Sequence, residues 1–76
     1  MENKEIFEII INKVKSMKQV DDVCLSDRFK EDLGFDSVNM LEIVLYFEET
    51  FHISFSHPFI ILTIQDALDF ISGNIK

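Results

Sequence analysis

The residues able to do chemistry are few, and their spacing restricts what they can do. Ser37 stands beside Asp36, a hydroxyl next to a carboxylate. A nucleophilic hydroxyl also needs a histidine base within reach. The chain offers His52 and His57, and His52 lies roughly 20 Å from Ser37 if one helix joins them. The segment GFDSV also lacks the G-x-S-x-G pattern of a nucleophile elbow. Metal chemistry has little to work with, because the two histidines have no cysteine or paired acids nearby. From Asp32 to Ile43 the acids do not alternate as a calcium loop requires. No glycine-rich phosphate cradle is present, and no aromatic and basic patch suits nucleic acid. Cys24 is the only cysteine, which excludes an internal disulfide or a cysteine-based zinc site, and it reads as a small buried hydrophobe. The pattern is that of a chain acted upon, or one that binds, and not of an enzyme.

Size and composition say what can position these groups. Seventy-six residues make one small domain, 1–76. A hydrophobic content of 47% excludes disorder, and two glycines with one proline are too few turn residues for an all-β domain. The net charge of −7 repels nucleic acid and anionic lipid and favours partners with basic patches. The start, MENKEIFEII, mixes acids into the apolar residues, unlike a secretory signal. No apolar run approaches the ~20 residues of a membrane-spanning helix. These features predict a cytoplasmic protein with no transmembrane segment.

Helical spacing of Phe7, Ile10, Ile11, Val14 and Met17 predicts a first helix from about Lys4 to Met17, with Glu5, Glu8, Asn12, Lys15 and Lys18 on the wet side. A long connection follows. Val20, Val23, Leu25, Phe29 and Leu33 are expected to plug it into the core, with a short helical turn near Arg28 to Asp32. Asp36 is a suitable N-cap for a second helix over Ser37–Phe51. In that helix Met40, Ile43, Val44, Phe47 and Phe51 form the core stripe, Leu41 and Leu45 lie at its edge, and Glu42, Glu48 and Glu49 mark the wet side. His52–Ser56 reads as a break, and Pro58 suits the first turn of a short helix. Thr63 with Asp66 forms a capping-box pair for the last helix. Ile64, Ala67, Leu68 and Ile71 are its core face, and Gly73 and Asn74 are its stop signals. The prediction is an all-α, small four-helix bundle with a long first loop and a short third helix.

The informative stretch is Phe29-Lys30-Glu31-Asp32-Leu33-Gly34-Phe35-Asp36-Ser37-Val38. A loop ends in glycine, an acid caps the helix and a serine opens it, which puts the Ser37 hydroxyl at an exposed corner under the positive end of the helix dipole. Residue chemistry alone leaves two readings, a plain cap or an attachment point for a phosphodiester. The motif F-x-x-D-L-G-x-D-S-[LV] resembles the phosphopantetheine attachment motif of acyl carrier proteins. VNMLEIVLYFEETF resembles that family's second helix and TIQDALDFI its last. The resemblance covers nearly the whole chain, in order.

That resemblance implies a four-helix bundle of the acyl-carrier type, which does no catalysis of its own. A phosphopantetheinyl transferase would move 4'-phosphopantetheine from coenzyme A onto Ser37. Acyl intermediates would then be held as thioesters and presented to partner enzymes in fatty acid, polyketide or related biosynthesis. Those partners would be acyltransferases, ketosynthases or acyl-activating enzymes with basic docking patches. Asp36 would face the transferase, Val38 and Leu41 would form an apolar spot beside the arm, and Glu42, Glu48 and Glu49 would meet basic residues.

The chain departs from the family at two places. Asn39 stands where the family often has an acid. SFSHPFIIL replaces an acidic stretch, with no acid between Glu49 and Asp66. Phe59, Ile60, Ile61 and Leu62 cannot all face inward, so part of Phe59–Leu62 is expected to form an apolar patch for a hydrophobic partner or for self-association. Phe47, Phe51, Phe55 and Phe59 are expected to crowd the interior and to favour short, polar or specialised acyl groups. An aminoacyl or D-alanyl carrier is an alternative, although GFDSV leans toward acyl carriers, and an unmodified helical protein-interaction module is another.

Overall fold

Ile6, Ile10 and Val14 fall on one side of a helix, and all three are fully buried in α1 (Asn3–Met17). Glu5 in its first turn and Lys15 in its last suit the helix dipole. The computed structural model describes residues 2–56 and 60–75 of the chain. Two further helices follow, α2 (Ser37–Phe51) and α3 (Ile64–Asn74). α1 packs chiefly against α3 and less against α2. The Cα radius of gyration, 11.2 Å, is what a compact domain of this length should have, about 11 Å.

Three helices stand among the described residues. The expected short third helix falls on 56–62. Ser56, Ile60, Ile61 and Leu62 are not helical, and His57, Pro58 and Phe59 lie outside the described residues. Physically, Ile61 turns into the core at 1% exposure while Ile60 and Leu62 stay 41% and 63% exposed. Leu62 and Thr63 spend their backbone groups on other segments instead of on a local helix. The Leu62 carbonyl accepts from Phe29 N–H at 3.0 Å, and the carboxylate of Asp66 accepts from the N–H groups of Leu62 and Thr63.

These bonds belong to a clasp between the first loop and the entry of α3. Arg28 and Thr63 form an antiparallel bridge, the Asp27 carbonyl accepts from Ile64 N–H, and the Leu25 carbonyl accepts from Gln65 N–H. Two expectations in the loop are corrected. Cys24 is exposed, not buried, because Asp27 closes a tight turn on it, taking the Cys24 N–H at 2.9 Å. Leu25 lends its backbone to the clasp and leaves its side chain 38% exposed. Val20 and Val23 are half-buried against the core, and Phe29 and Leu33 are buried in it, as expected of plugs. Of the two expected stop signals, Asn74 is where α3 ends. The helix runs through Asn74, whose side chain donates to the Phe70 carbonyl at 2.7 Å.

Candidate functional site

The start of α2 is built from the preceding loop. Phe29 is buried at 1% exposure and meets Phe35 edge to face, with ring centroids 5.3 Å apart. Burying one such ring stabilises the fold by about 1.5–3 kcal/mol. Between them the chain makes one helical turn, with the N–H groups of Asp32 and Leu33 both reaching the Arg28 carbonyl. Asp32 returns its carboxylate to Arg28 N–H at 2.8 Å and to Arg28 Nε at 3.2 Å. The Arg28 backbone N–H first, and its guanidinium second, hold the Asp32 carboxyl below its ordinary value. Gly34 then reverses the chain at φ 73°, a left-handed conformation that glycine adopts without cost. Phe35 is thereby driven inward, and the next residues emerge at the surface.

Asp36 is the N-cap, as the sequence predicts. Its carboxylate accepts from Asn39 N–H at 2.8 Å, and the Asn39 side chain accepts from Asp36 N–H at 3.2 Å. Asn39, read from sequence only as a missing acid, completes a capping box. The signal was present: a hydrogen-bonding side chain three residues after an N-cap. Ser37 is the first residue of α2 and is exposed, as are Val38 at 69% and Leu41 at 50%. Leu45, expected at the edge, is 56% exposed and continues the same apolar stripe.

The acids expected on the wet side divide. Glu42 and Glu49 are exposed. Glu42 lies 3.9 Å from Lys13 Nζ, a long pair of little strength. Glu48 is half-buried, and its carboxylate accepts from Phe55 N–H at 2.8 Å. Every lysine and arginine except Lys76 precedes Glu31 in the sequence, so α2 itself carries no lysine or arginine, and Lys13 of α1 reaches it beside Glu42 and Tyr46. His52 is exposed at the far end of α2, and among the described residues no three metal-ligating side chains gather. Among these residues, too, no helix is long and apolar enough to cross a membrane.

A cleft of about 260 Å³ opens beside this site. Phe29, Met40, Ile61 and Leu62 line it, with Arg28 and Asp66 among its polar groups. Met40 lies one turn along α2 from Ser37. Phe47 is fully buried against Phe51 and Phe55, and Phe55 stacks on Phe70 with centroids 4.3 Å apart.

An exposed hydroxyl at a capped helix start is open to esterification by another enzyme, and the unpaired N–H groups there suit a phosphate. The residues present therefore fit a phosphodiester-linked group. Comparison with known proteins agrees. The family model for the phosphopantetheine attachment site matches residues 8–71. The acyl carrier protein of Aster yellows witches'-broom phytoplasma (strain AYWB) is 38% identical over 73 residues, covering 91% of this chain and 96% of that protein. The acyl carrier protein of Porphyromonas gingivalis is 29% identical over 75 residues, covering 96% and 94%. The solution structure of the apo doublet acyl carrier protein from prodigiosin biosynthesis has the same fold, with a TM-score of 0.80 at 24% identity. It matches 99% of this chain, which spans 38% of that longer one. A motif, a capped helix and relatives matched along almost their full length converge: the chain belongs to the acyl carrier protein family, and it carries acyl groups on phosphopantetheine for other enzymes and is not itself a catalyst.

Proposed function

We propose that Ser37 is the residue that takes the phosphopantetheine arm from coenzyme A, through a phosphopantetheinyl transferase. The observation that carries this is the exposure of Ser37 as the first residue of α2, directly after the capping Asp36. When bound, the group supplies a terminal thiol that holds an acyl group as a thioester. The chain's own residues supply the rest. Asp36 holds the helix start and offers a negative charge to the transferase. Val38 and Leu41 give partner enzymes an apolar contact beside the attachment point, and Glu42 and Glu49 a charge complement to basic patches. Glu48, expected from sequence to join them, already holds the Phe55 N–H. The partners on this reading are acyltransferases, ketosynthases or acyl-activating enzymes of fatty acid, polyketide or related biosynthesis, in the cytoplasm. All 76 residues act as one carrier domain.

The cargo we read as short or polar. The cleft of about 260 Å³ is smaller than the 300–1,000 Å³ of pockets that enclose drug-sized ligands. A long chain seeking the bundle axis would meet Phe47 and the Phe55–Phe70 stack. Exposed Ile60 and Leu62 provide a further apolar contact, for a hydrophobic partner or a second copy of the chain. Sedimentation across a concentration series separates these two, since only self-association shifts with concentration.

Intact mass after incubation with coenzyme A and a transferase tests the attachment. The expected result is one added phosphopantetheine on the wild type and none on Ser37→Ala, with helicity unchanged. Modification of the Ser37→Ala chain, or an unmodified wild type, sinks the assignment; the second outcome favours an unmodified interaction module. Loading by aminoacyl-activating rather than acyl-activating enzymes would point to an aminoacyl or D-alanyl carrier.

A further inference from the structure

We infer that Glu48 stands apart from Glu42 and Glu49, the docking charges proposed above: it is a positioning residue that anchors the connection between α2 and α3. The inference rests on the carrier reading above, and three observations lead to it.

The first is angular. Successive residues of a helix are rotated by about 100°, so residues seven apart nearly superpose. Glu42 and Glu49 are seven apart and stand together on the outer side of the exposed stripe Val38–Leu41–Leu45. Glu48 falls on the other border of that stripe, next to the buried face that holds Val44 and Phe51.

The second is what the carboxylates do. Glu42 and Glu49 are exposed, whereas Glu48 is half-buried and takes Phe55 N–H at 2.8 Å. The Glu48 carbonyl also accepts from His52 N–H and from Ile53 N–H, so one residue closes the end of α2 and starts the connection. Phe55, so held, lies against Phe47 of α2 and stacks on Phe70 of α3.

The third is symmetry of means. The far end of the same connection is held likewise by a carboxylate from the flanking helix: Asp66 accepts from Leu62 N–H at 3.0 Å and Thr63 N–H at 3.2 Å. Between Glu49 and Asp66 the connection has no acid of its own, so its ends depend on borrowed ones.

Glutamine keeps the acceptor oxygen and removes the charge, which separates the roles. Glu42→Gln, Glu49→Gln, Glu48→Gln and Glu48→Ala are made in the full chain. Each is measured for the KM of phosphopantetheine transfer at low ionic strength and for hydrogen exchange at the Phe55 amide. Glu42→Gln and Glu49→Gln should each raise KM about two- to fivefold with kcat kept, as exposed docking charges do. Glu48→Gln should leave KM within twofold and the Phe55 amide protected. Glu48→Ala should speed Phe55 exchange about tenfold or more, because a hydrogen bond to a charged group is lost. A KM for Glu48→Gln that rises as far as those of Glu42→Gln and Glu49→Gln, with Phe55 still protected, overturns the anchor. So does unchanged Phe55 exchange in Glu48→Ala. Unchanged KM in Glu42→Gln and Glu49→Gln overturns the docking half. Should Glu48→Ala fail to fold, the glutamine variant decides alone. Exchange is read on the unmodified chain, so an absence of transfer in the wild type would strike the carrier reading and leave the anchor testable.

Discussion

The two ends of α2 are made of similar residues and serve opposite purposes. At the N-terminal end, Asp36 satisfies the helix and leaves Ser37, Val38 and Leu41 facing solvent. At the C-terminal end, Phe47 and Phe51 are buried, Glu48 holds the following loop, and His52 turns the chain away. An acid on the surface of a helix therefore has no fixed meaning. Its role is set by whether an unpaired N–H group lies within its reach, and the connection after α2 supplies one to Glu48 while nothing comparable draws Glu49 inward.

The comparison breaks most sharply at Phe47. It is fully buried among other phenylalanines, so Phe47→Ala should destabilise the fold by about 3–5 kcal/mol through lost burial and a residual cavity. Leu45→Ala, two residues away on the exposed stripe, should cost within about 0.5 kcal/mol. Urea midpoints for the two variants check this. Similar losses would mean that the exposed stripe and the buried face of the helix are not divided as described.

The ends also differ in how they use left-handed backbone. Gly34 precedes α2 at φ 73°, and His52 ends it at φ 56°. A side chain in that region costs roughly 1–2 kcal/mol. Gly34→Ala should lose about that amount, although a Cβ there would meet nothing within 4 Å. His52→Gly should gain by relief of the same strain, less the entropy that glycine adds to the unfolded chain, for a net of about 0.5 kcal/mol. Thermal midpoints moving in opposite directions are the expected outcome. A loss in His52→Gly would show that the His52 side chain contributes more than its backbone strain costs.

Much of this was legible in the sequence because it is local. The bounds of α2 follow from Asp36 and from the period of Met40, Ile43, Val44, Phe47 and Phe51, and the start of α3 follows from Thr63 and Asp66. The exposed corner at Ser37 follows from Gly34, Asp36 and Ser37 within four residues, whereas reading it as an attachment point took the resemblance of the longer motif. What could not be read depends on segments meeting across the fold. Leu25 is exposed because the first loop pairs with residues 62–65, and no pattern within the loop announces that pairing. Glu48 lies on the helical period at the border of the buried face, and only the arrival of Phe55 N–H, seven residues on, gives its carboxylate a partner there. Within the connection a short helix was expected from Pro58 and its apolar run, whose first residues lie outside the described ones. Its backbone at 62 and 63 instead answers to Phe29, Arg28 and Asp66.

The smallest effect expected concerns the turn that leads into α2. Arg28 and Asp32 form an exposed pair, with Glu31 3.7 Å from the same Arg28 Nε. The Asp32 carboxyl is depressed below 3.8 by the Arg28 N–H and then by the guanidinium, and the Arg28 guanidinium is raised in return by Asp32, then by the charge of Glu31. A depressed carboxyl contributes stability that is complete above its unfolded value and is lost as pH falls through the folded one. The contribution should therefore persist at neutral pH and fade only in acid, below the ordinary aspartate range. Because the pair is exposed, salt should weaken its ionic part, whereas the bond from Asp32 to Arg28 N–H should survive. Asp32→Asn keeps an acceptor for that N–H and removes the charge. Its thermal midpoint should stay close to that of the wild type at neutral pH and high salt, and the small gap at low salt should close as acid protonates Asp32. A gap that widened in acid would reverse the sign of the linkage, and the turn before Ser37 would then have to be held by something other than this carboxylate.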